Sequence, residues 1–199
     1  MRRPSLLFAA LVFAVPALAE DTREQPAVTV PLVQRQSPAD IRADHLDALF
    51  AKLHRVTGER DAKSTEQDIW AVWMSSDSPT AEVLLQQATR AMGGGAFEQS
   101  RDILNRLIGA YPDFAEAWNK RATLYFAMGR FTESLADIDK VLELEPRHFG
   151  ALSGRGMILQ RQKNYGAALE AFRDALAINP NMESVKDAVK ALEKFEQPI

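Results

Sequence analysis

Three evenly spaced prolines divide the second half of the chain into units of equal length. Pro112, Pro146 and Pro180 follow one another at intervals of 34 residues. Aligning the sequence on these prolines gives three units, 81–114, 115–148 and 149–182. A period of this length indicates a fold in which one supersecondary unit stacks on the next.

The alignment places residues of the same kind at equivalent positions. Positions 8 and 20 are small in every unit and position 17 is aromatic: Ala88, Ala122 and Gly156; Ser100, Ser134 and Ala168; Phe97, Phe131 and Tyr165. Apolar residues recur three and four positions apart on either side of a turn-prone segment, which predicts two antiparallel helices per unit. Small side chains at positions 8 and 20 allow the two helix axes to cross about 8–10 Å apart.

Other positions predict helix ends and one ion pair. Proline cannot continue a helix, so the proline at position 32 ends each unit. Asp113 and Glu116 have the spacing of a capping box and predict the next helix start. Arg121 is expected to form a structural ion pair with Asp137 on the facing helix, and a role in ligand binding is the alternative.

These features resemble the tetratricopeptide repeat family, which has a 34-residue period and a characteristic set of Trp, Gly, Tyr, Ala, Phe and Pro positions. The middle unit matches that pattern best, at Trp118, Ala122, Tyr125, Gly129, Phe131, Ile138 and Pro146. The resemblance covers about half of the 199 residues. It implies an all-α fold, a right-handed α-solenoid of antiparallel helix pairs, and leaves the partner unidentified.

The segments on either side of the repeats are expected to cap them, because each repeat buries its faces only against its neighbours. Residues 183–199 are predicted to form a C-terminal capping helix. Its apolar stripe consists of Val185, Ala188, Val189 and Leu192. The three repeats are assigned to residues 79–182.

Residues 38–78 are predicted to form an N-terminal helical hairpin, either a degenerate repeat or a separate cap. Its first helix is expected to begin after Ser37 and to stop at Gly58, and Ser64 with Gln67 predicts the start of the second. Aromatic residues are assigned to the hairpin core, with a partner surface as the alternative: Phe50, Trp70 and Trp73.

The amino terminus has the pattern of an export signal. Arg2 and Arg3 precede ten apolar residues, 6–15, and Ala17-Leu18-Ala19 fits a cleavage site. We therefore expect residues 1–19 to be removed, with cleavage after Ala19. Residues 20–37 contain two prolines and are expected to form a flexible linker. The expected location is periplasmic or secreted, and the absence of cysteine favours a bacterial periplasm.

The sequence carries little that would support catalysis or a cofactor. With no cysteine and three histidines, thiolate and helical His-pair zinc sites are excluded, so neither a metal nor another cofactor is expected. Asp137 and Asp139 are two residues apart on a helix and point in different directions. A formal net charge of −3 does not favour nucleic-acid binding. No membrane span is expected after signal cleavage. We therefore do not expect an enzyme.

The resemblance implies a concave groove lined by the first helix of each repeat, at positions 2, 5, 9 and 12. Glu82, Glu116 and Gly150 occupy position 2. The predicted partner-binding residues are Leu85, Thr89 and Met92, then Asn119, Thr123 and Phe126, then Ser153, Met157 and Gln160. Solvated or neighbour-packed positions are the alternative interpretation.

Some members of the family hold a C-terminal carboxylate with a clamp of basic residues and asparagine. The matching positions here are Leu85, Thr89, Lys120, Gly150 and Gly154, so the clamp is missing. The expected function is a non-catalytic interaction module that binds a protein or peptide of the cell envelope. The alternative is a structural subunit packed permanently in a larger envelope complex.

Overall fold

The computed structural model describes residues 37–196. This range contains nine α-helices and no β-strand, which confirms the all-α prediction. The helices are α1 (Pro38–Arg55), α2 (Glu59–Met74), α3 (Pro79–Gly93), α4 (Phe97–Ala110), α5 (Ala115–Ala127), α6 (Phe131–Leu144), α7 (Phe149–Arg161), α8 (Tyr165–Ile178) and α9 (Glu183–Glu196). Among them, none combines the length and apolarity that crossing a membrane requires. The predicted signal peptide, 1–19, and residues 20–36 of the predicted linker lie outside the described residues.

Each 34-residue unit contributes two packed helices: α3 with α4, α5 with α6, and α7 with α8. A residue with positive φ reverses the chain between them, and in all three pairs this residue is at position 15. Gly95 and Gly129 have φ of 76° and 73°, and Lys163 has φ of 60°. The amide of the following residue donates across the turn, as Ala96 does to the Ala91 carbonyl, which satisfies the helix end.

The small residues at positions 8 and 20 meet where the paired helices cross. Ser100 Oγ donates to the Ala88 carbonyl at 2.9 Å, and Ser134 Oγ donates to the Ala122 carbonyl at 2.7 Å. The third unit has a tighter crossing. A Cβ at Gly156 would lie 2.6 Å from the ring of Phe172, so this helix pair accommodates phenylalanine only because residue 156 has no side chain.

Arginine side chains hold successive helices together. Arg121 makes two hydrogen bonds to Asp137, of 2.8 and 2.7 Å, which confirms the predicted structural pair. Its remaining amino group donates to Asn105 on α4, so one guanidinium connects two units. Arg155 pairs with Asp139. The two aspartates of α6 thus point to different partners, as their helical spacing predicts.

The C-terminal cap and the N-terminal hairpin form the predicted helices, with two corrections to the helix ends. α9 packs against α8 and buries Val185 and Leu192. Ser37 caps α1 through reciprocal hydrogen bonds with Asp40. The prediction that Ser64 and Gln67 begin the second helix is wrong: α2 begins at Glu59 after Gly58 and continues through both residues, which are exposed. Gly58 ends the turn rather than the first helix.

The hairpin formed by α1 and α2 folds onto the first helices of the repeats. Its core contains Leu53, Ile69 and Trp73, and this core extends to Phe149 at the start of α7. α2 also contacts α5. A repeat that preceded the first unit would instead stack on α3 and α4.

Candidate functional site

The first helices of successive units are neighbours and form a continuous surface, which we call the inner surface. α3 contacts α5, and α5 contacts α7. The residues at positions 2, 5, 9 and 12 of these helices were predicted to form the binding groove. The structure divides this surface into a pocket between α5 and α7 and a strip that is covered by the hairpin.

The pocket between α5 and α7 has a volume of about 200 Å³. Five of the nine predicted residues line it: Asn119, Thr123, Phe126, Ser153 and Met157. Ala122, Ser134, Ile138, Gly150, Ala151, Gly154, Ile158 and Met182 complete the lining, and none of these thirteen side chains is charged. The pocket therefore suits an uncharged, mainly apolar group.

A few polar atoms at the pocket are available to orient a ligand. Asn119 uses its amide nitrogen to donate to Glu116, which leaves the carboxamide oxygen as an acceptor. Thr123 Oγ1 donates to the Asn119 carbonyl and keeps its lone pairs. Acceptors of this kind complement the N–H groups of a peptide backbone. Met157 is 41% exposed and offers a flexible apolar contact at the mouth.

One aromatic side chain, Phe126, lines the pocket. The ring of Phe126 packs against Phe131, with 5.7 Å between centroids. The guanidinium of Arg161 lies 5.0 Å from the Phe126 centroid, outside the pocket lining. Phe126 therefore has a fixed orientation before any ligand binds.

The other predicted residues do not line this pocket. Leu85 is 1% exposed in the core shared by α3, α4 and α5, where no ligand can reach its side chain, so its assignment to the groove is corrected. Met92 packs against the same core. Thr89 Oγ1 donates to the Leu85 carbonyl at 2.8 Å. Gln160, one turn beyond Met157, is partly buried outside the lining.

The residues at position 2 face the hairpin and the segment that joins it to α3. Glu82 accepts a hydrogen bond from the backbone of Ser76. Gly150 lies directly under Trp70: a Cβ at residue 150 would be 2.7 Å from Cη2 of that ring. The hairpin therefore covers the position-2 edge of the groove, next to the pocket.

A buried polar cluster lies beneath the hairpin. Glu116 and His148 are 1% and 0% exposed, and Lys120 Nζ lies 2.9 Å from Glu116 Oε1. The Ala151 amide donates to Nδ1 of His148, so the proton of the neutral ring is on Nε2, which donates to Glu116 Oε2 over 3.2 Å. Asn119 donates to the same carboxylate oxygen.

This cluster stabilises the ionised form of Glu116. Burial raises the pKa of Glu116, but the hydrogen bond from His148 and the charge of Lys120 outweigh it and hold the pKa below its ordinary value of 4.5. The predicted capping box of Asp113 and Glu116 is wrong, because Phe114 occupies the N-cap and the Glu116 carboxylate instead binds Lys120 on the same helix and His148 before α7.

Sequence reasoning missed both the cluster and the place where the hairpin docks. Glu116 and His148 are at positions 2 and 34 of the middle unit, and position 34 is Phe114 and Met182 in the other two units, so the alignment gives no reason to pair them. The glycine at position 2 of the third unit, where the other units have glutamate, was the one available signal that something packs closely there.

Comparison with known proteins places these features in a family. A family model described as tetratricopeptide repeat matches residues 85–127 and 119–183. A TPR repeat-containing protein of Rhizobium etli is 37% identical over 161 residues, covering 81% of this chain and 79% of that protein. Hsp70-Hsp90 organizing protein 1 of Glycine max is 32% identical over 79 residues, 40% of this chain and 14% of that protein.

Solved structures share the helix arrangement. The first TPR of Spaghetti (RPAP3), bound to the HSP90 peptide SRMEEVD, has a TM-score of 0.57 at 20% identity, covering 60% of this chain and 94% of that one. The Yersinia enterocolitica type III secretion chaperone SycD, in complex with a peptide of the translocator YopD, has a TM-score of 0.57 at 14% identity. That match covers 62% of this chain and 98% of SycD. At these identities the likeness shows the fold.

Proposed function

We propose that this chain, which belongs to the tetratricopeptide repeat family, is a non-catalytic interaction module that binds a peptide segment of another protein in the pocket between α5 and α7. The observation that carries the proposal is the uncharged pocket itself, which contains five of the groove residues expected from the sequence. RPAP3 and SycD bind peptides on the same fold, which supports the assignment.

The ligand that fits this pocket carries an apolar side chain, and its backbone N–H groups meet the acceptors of Asn119 and Thr123. A pocket of about 200 Å³ holds one large aliphatic or aromatic side chain. The peptide bound by RPAP3 is acidic, SRMEEVD. Here the carboxylate-clamp positions carry Leu85, Thr89 and two glycines, with Lys120 the one cation, so an acidic C-terminal ligand is disfavoured.

The pocket can be tested with a random peptide library selected on the full chain. We expect the selected peptides to be enriched in one bulky apolar residue. Met157→Glu places a charge at the mouth and should weaken their binding at least 10-fold, about 1.4 kcal/mol. Val83→Glu is the matched control, because Val83 is 48% exposed and lies outside the pocket. Equal effects of the two substitutions would reject the pocket as the binding site.

We also propose that the protein is exported and that its partner belongs to the bacterial cell envelope. The supporting observation is the sequence of residues 1–19, with two arginines, an apolar run and a small-residue cleavage site. The test is the amino terminus of protein purified from the periplasm. It should begin at Glu20, and an uncleaved terminus would contradict the proposal.

The level of this protein in cells distinguishes a permanent subunit of a larger envelope complex from a module that binds peptides transiently. A permanent subunit would be degraded in cells that lack its complex, because its partner-facing surface would be left exposed. A transient binding module should persist at normal levels without any one partner. Cross-linking in intact cells from a photoreactive residue at position 157, followed by mass spectrometry, identifies the partner.

A further inference from the structure

The strip of inner surface beneath the hairpin is covered by α2 of the same chain. It consists of Lys120 on α5, residues 147–150, which lead into α7 and form its first turn, and Asn179 before α9. It adjoins the pocket between α5 and α7, because Gly150 lines the pocket and also contacts Trp70. Met182 likewise lines the pocket and packs against the hairpin core.

The strip receives two aromatic side chains from one face of α2. Trp73 lies flat on His148, with 4.1 Å between centroids and 10° between planes. Trp70 meets Phe149 edge to face at 5.7 Å, and Lys120 Nζ lies 5.9 Å from the Trp70 centroid. Aromatic pairs of this geometry stabilise an interface beyond the area they bury.

Acidic side chains of the hairpin meet polar and basic groups at both ends of the strip. Glu66, one turn before Trp70, accepts a hydrogen bond from Asn179 at 3.1 Å. Asp47 on α1 pairs with Arg147, whose guanidinium also lies 4.5 Å from the Phe50 ring. The residues of α2 that contact the strip are therefore an acidic residue, Glu66, and aromatic residues four and seven positions later, Trp70 and Trp73.

The hairpin is joined to the repeats by a short segment and is held by contacts distant in the sequence. Four residues, 75–78, separate α2 from α3, whereas the polar contacts that hold the hairpin reach residues 100 and 113 positions away. The indole nitrogen of Trp73 is buried without a hydrogen-bond partner among the described residues, and so is Nδ2 of Asn181. A cleft of about 730 Å³, lined by Glu66, Asn181 and neighbouring residues, separates the base of the hairpin from the start of α9. The interface between the hairpin and the repeats therefore contains an unpaired buried donor, and its packing is incomplete at the base of the hairpin.

We propose that this strip is a second docking surface, specific for a partner's amphipathic helix with an acidic residue followed by aromatic residues four and seven positions later. The chain's own α2 is the resident occupant, and the partner helix exchanges with it. The proposal rests on the proposed function in one respect: partners approach the inner surface. A bound partner then occupies the pocket and the strip together.

The test measures whether the strip accepts a helix in trans. The probe is a fluorescent peptide with the sequence of residues 38–74, titrated into the full chain. Trp70→Ala in the full chain weakens the resident hairpin and leaves the strip intact, so it should increase probe affinity at least 10-fold. Asp47→Lys, which replaces the Arg147 ion pair with two like charges, should act in the same direction, and it tests the proposal if Trp70→Ala fails to fold.

Two controls test whether binding depends on the residue pattern of the helix and on displacement of the hairpin. A designed helix that has only the Glu, Trp and Trp of the pattern should bind the Trp70→Ala chain, and a version with altered spacing should not. The chain contains no cysteine. A bismaleimide joining cysteines at positions 47 and 147 therefore holds the hairpin in place, and it should abolish probe binding.

Other outcomes overturn the proposal. If neither Trp70→Ala nor Asp47→Lys changes probe binding, or if α1 and α2 amides exchange with solvent only on global unfolding, the hairpin is a permanent part of the core. If light scattering shows that the variants dimerise, the occupant is a second copy of this chain. Met157→Glu, which changes the pocket and not the strip, should leave probe binding unchanged. The proposal of a peptide-binding pocket and the proposal of a helix-binding strip can therefore be rejected independently.

Discussion

The imidazole of His148 stacks on the indole of Trp73, and its Nε2 donates to Glu116 over 3.2 Å. Its other nitrogen accepts the amide of Ala151 and caps α7. One fully buried side chain therefore connects the hairpin, α5 and α7. Residues far apart in the sequence depend on this single ring.

Replacing His148 with alanine removes all three contacts. We expect the free energy of unfolding to fall by about 3 kcal/mol, mainly from the hydrogen bond to an ionised group, with the lost ring stack adding to it. Urea denaturation followed by far-UV circular dichroism measures the loss. His54→Ala, an exposed site on α1, should change stability by less than about 0.5 kcal/mol. Similar losses in the two variants would contradict the assigned role.

Gly156→Ala should destabilise the third unit, although alanine favours helices by about 1 kcal/mol over glycine. The added Cβ would overlap the Phe172 ring at 2.6 Å, and overpacking of a buried site costs about 1–3 kcal/mol. The melting temperature should therefore fall. Phe172→Leu in the same chain should recover part of the loss, because the first unit combines alanine with leucine at these positions. Additive effects in this double-mutant cycle would show that the two residues do not compete for space.

Stability should depend on pH through Glu116. Its pKa is below 4.5 in the folded protein, so on acidification the unfolded chain takes up the proton first. The contribution of Glu116 to the free energy of unfolding is therefore complete above pH 4.5, the ordinary pKa of the group. It is lost as the pH falls through the lower pKa that Glu116 has in the folded protein. Glu116→Gln should flatten the curve of unfolding free energy against pH in that acidic range. A variant curve parallel to that of the wild type would be inconsistent with an ionised, paired Glu116.

The two arginine–aspartate pairs should differ in their response to lysine. In the pair of Arg121 with Asp137, the side chains are 17% and 5% exposed, and two hydrogen bonds join them. Arg121→Lys cannot keep both bonds and should cost about 1.5 kcal/mol or more in unfolding free energy. Arg155→Lys should cost less than about 0.5 kcal/mol, because Asp139 is 72% exposed. The reverse order would show that burial does not set the strength of these pairs.

The sequence predicted the features that recur from unit to unit. The crossing of small residues and the helix pairs follow from helix geometry and a 34-residue period. The Arg121–Asp137 contact does not recur, but it lies within one helix pair, where facing positions can be read from the sequence. Helix ends were less predictable. Asp113 and Glu116 have capping spacing, yet Glu116 is drawn into contacts with Lys120 and His148.

The hairpin shows where sequence reasoning stopped. Trp70 and Trp73 are 34 residues before Leu104 and Leu107, and that spacing left a degenerate repeat open beside a separate cap. The structure places both tryptophans against α7 instead. A single copy has no period to reveal its partner, so only the tertiary structure gives the docking site. The same limit applied to Leu85, which is enclosed in the core at position 5, whereas Asn119 and Ser153 at the same position line the pocket.

The contact between Gly156 and Phe172 means that the three units are not interchangeable modules. If α7 were replaced by a copy of α5, Ala122 would arrive where the aromatic ring leaves room only for a hydrogen atom. Transfer of this single helix to another unit would therefore disrupt packing unless the helix paired with it were transferred as well. The unit that can be exchanged without loss of folding is therefore the helix pair. Its boundaries lie near the prolines at which each pair ends.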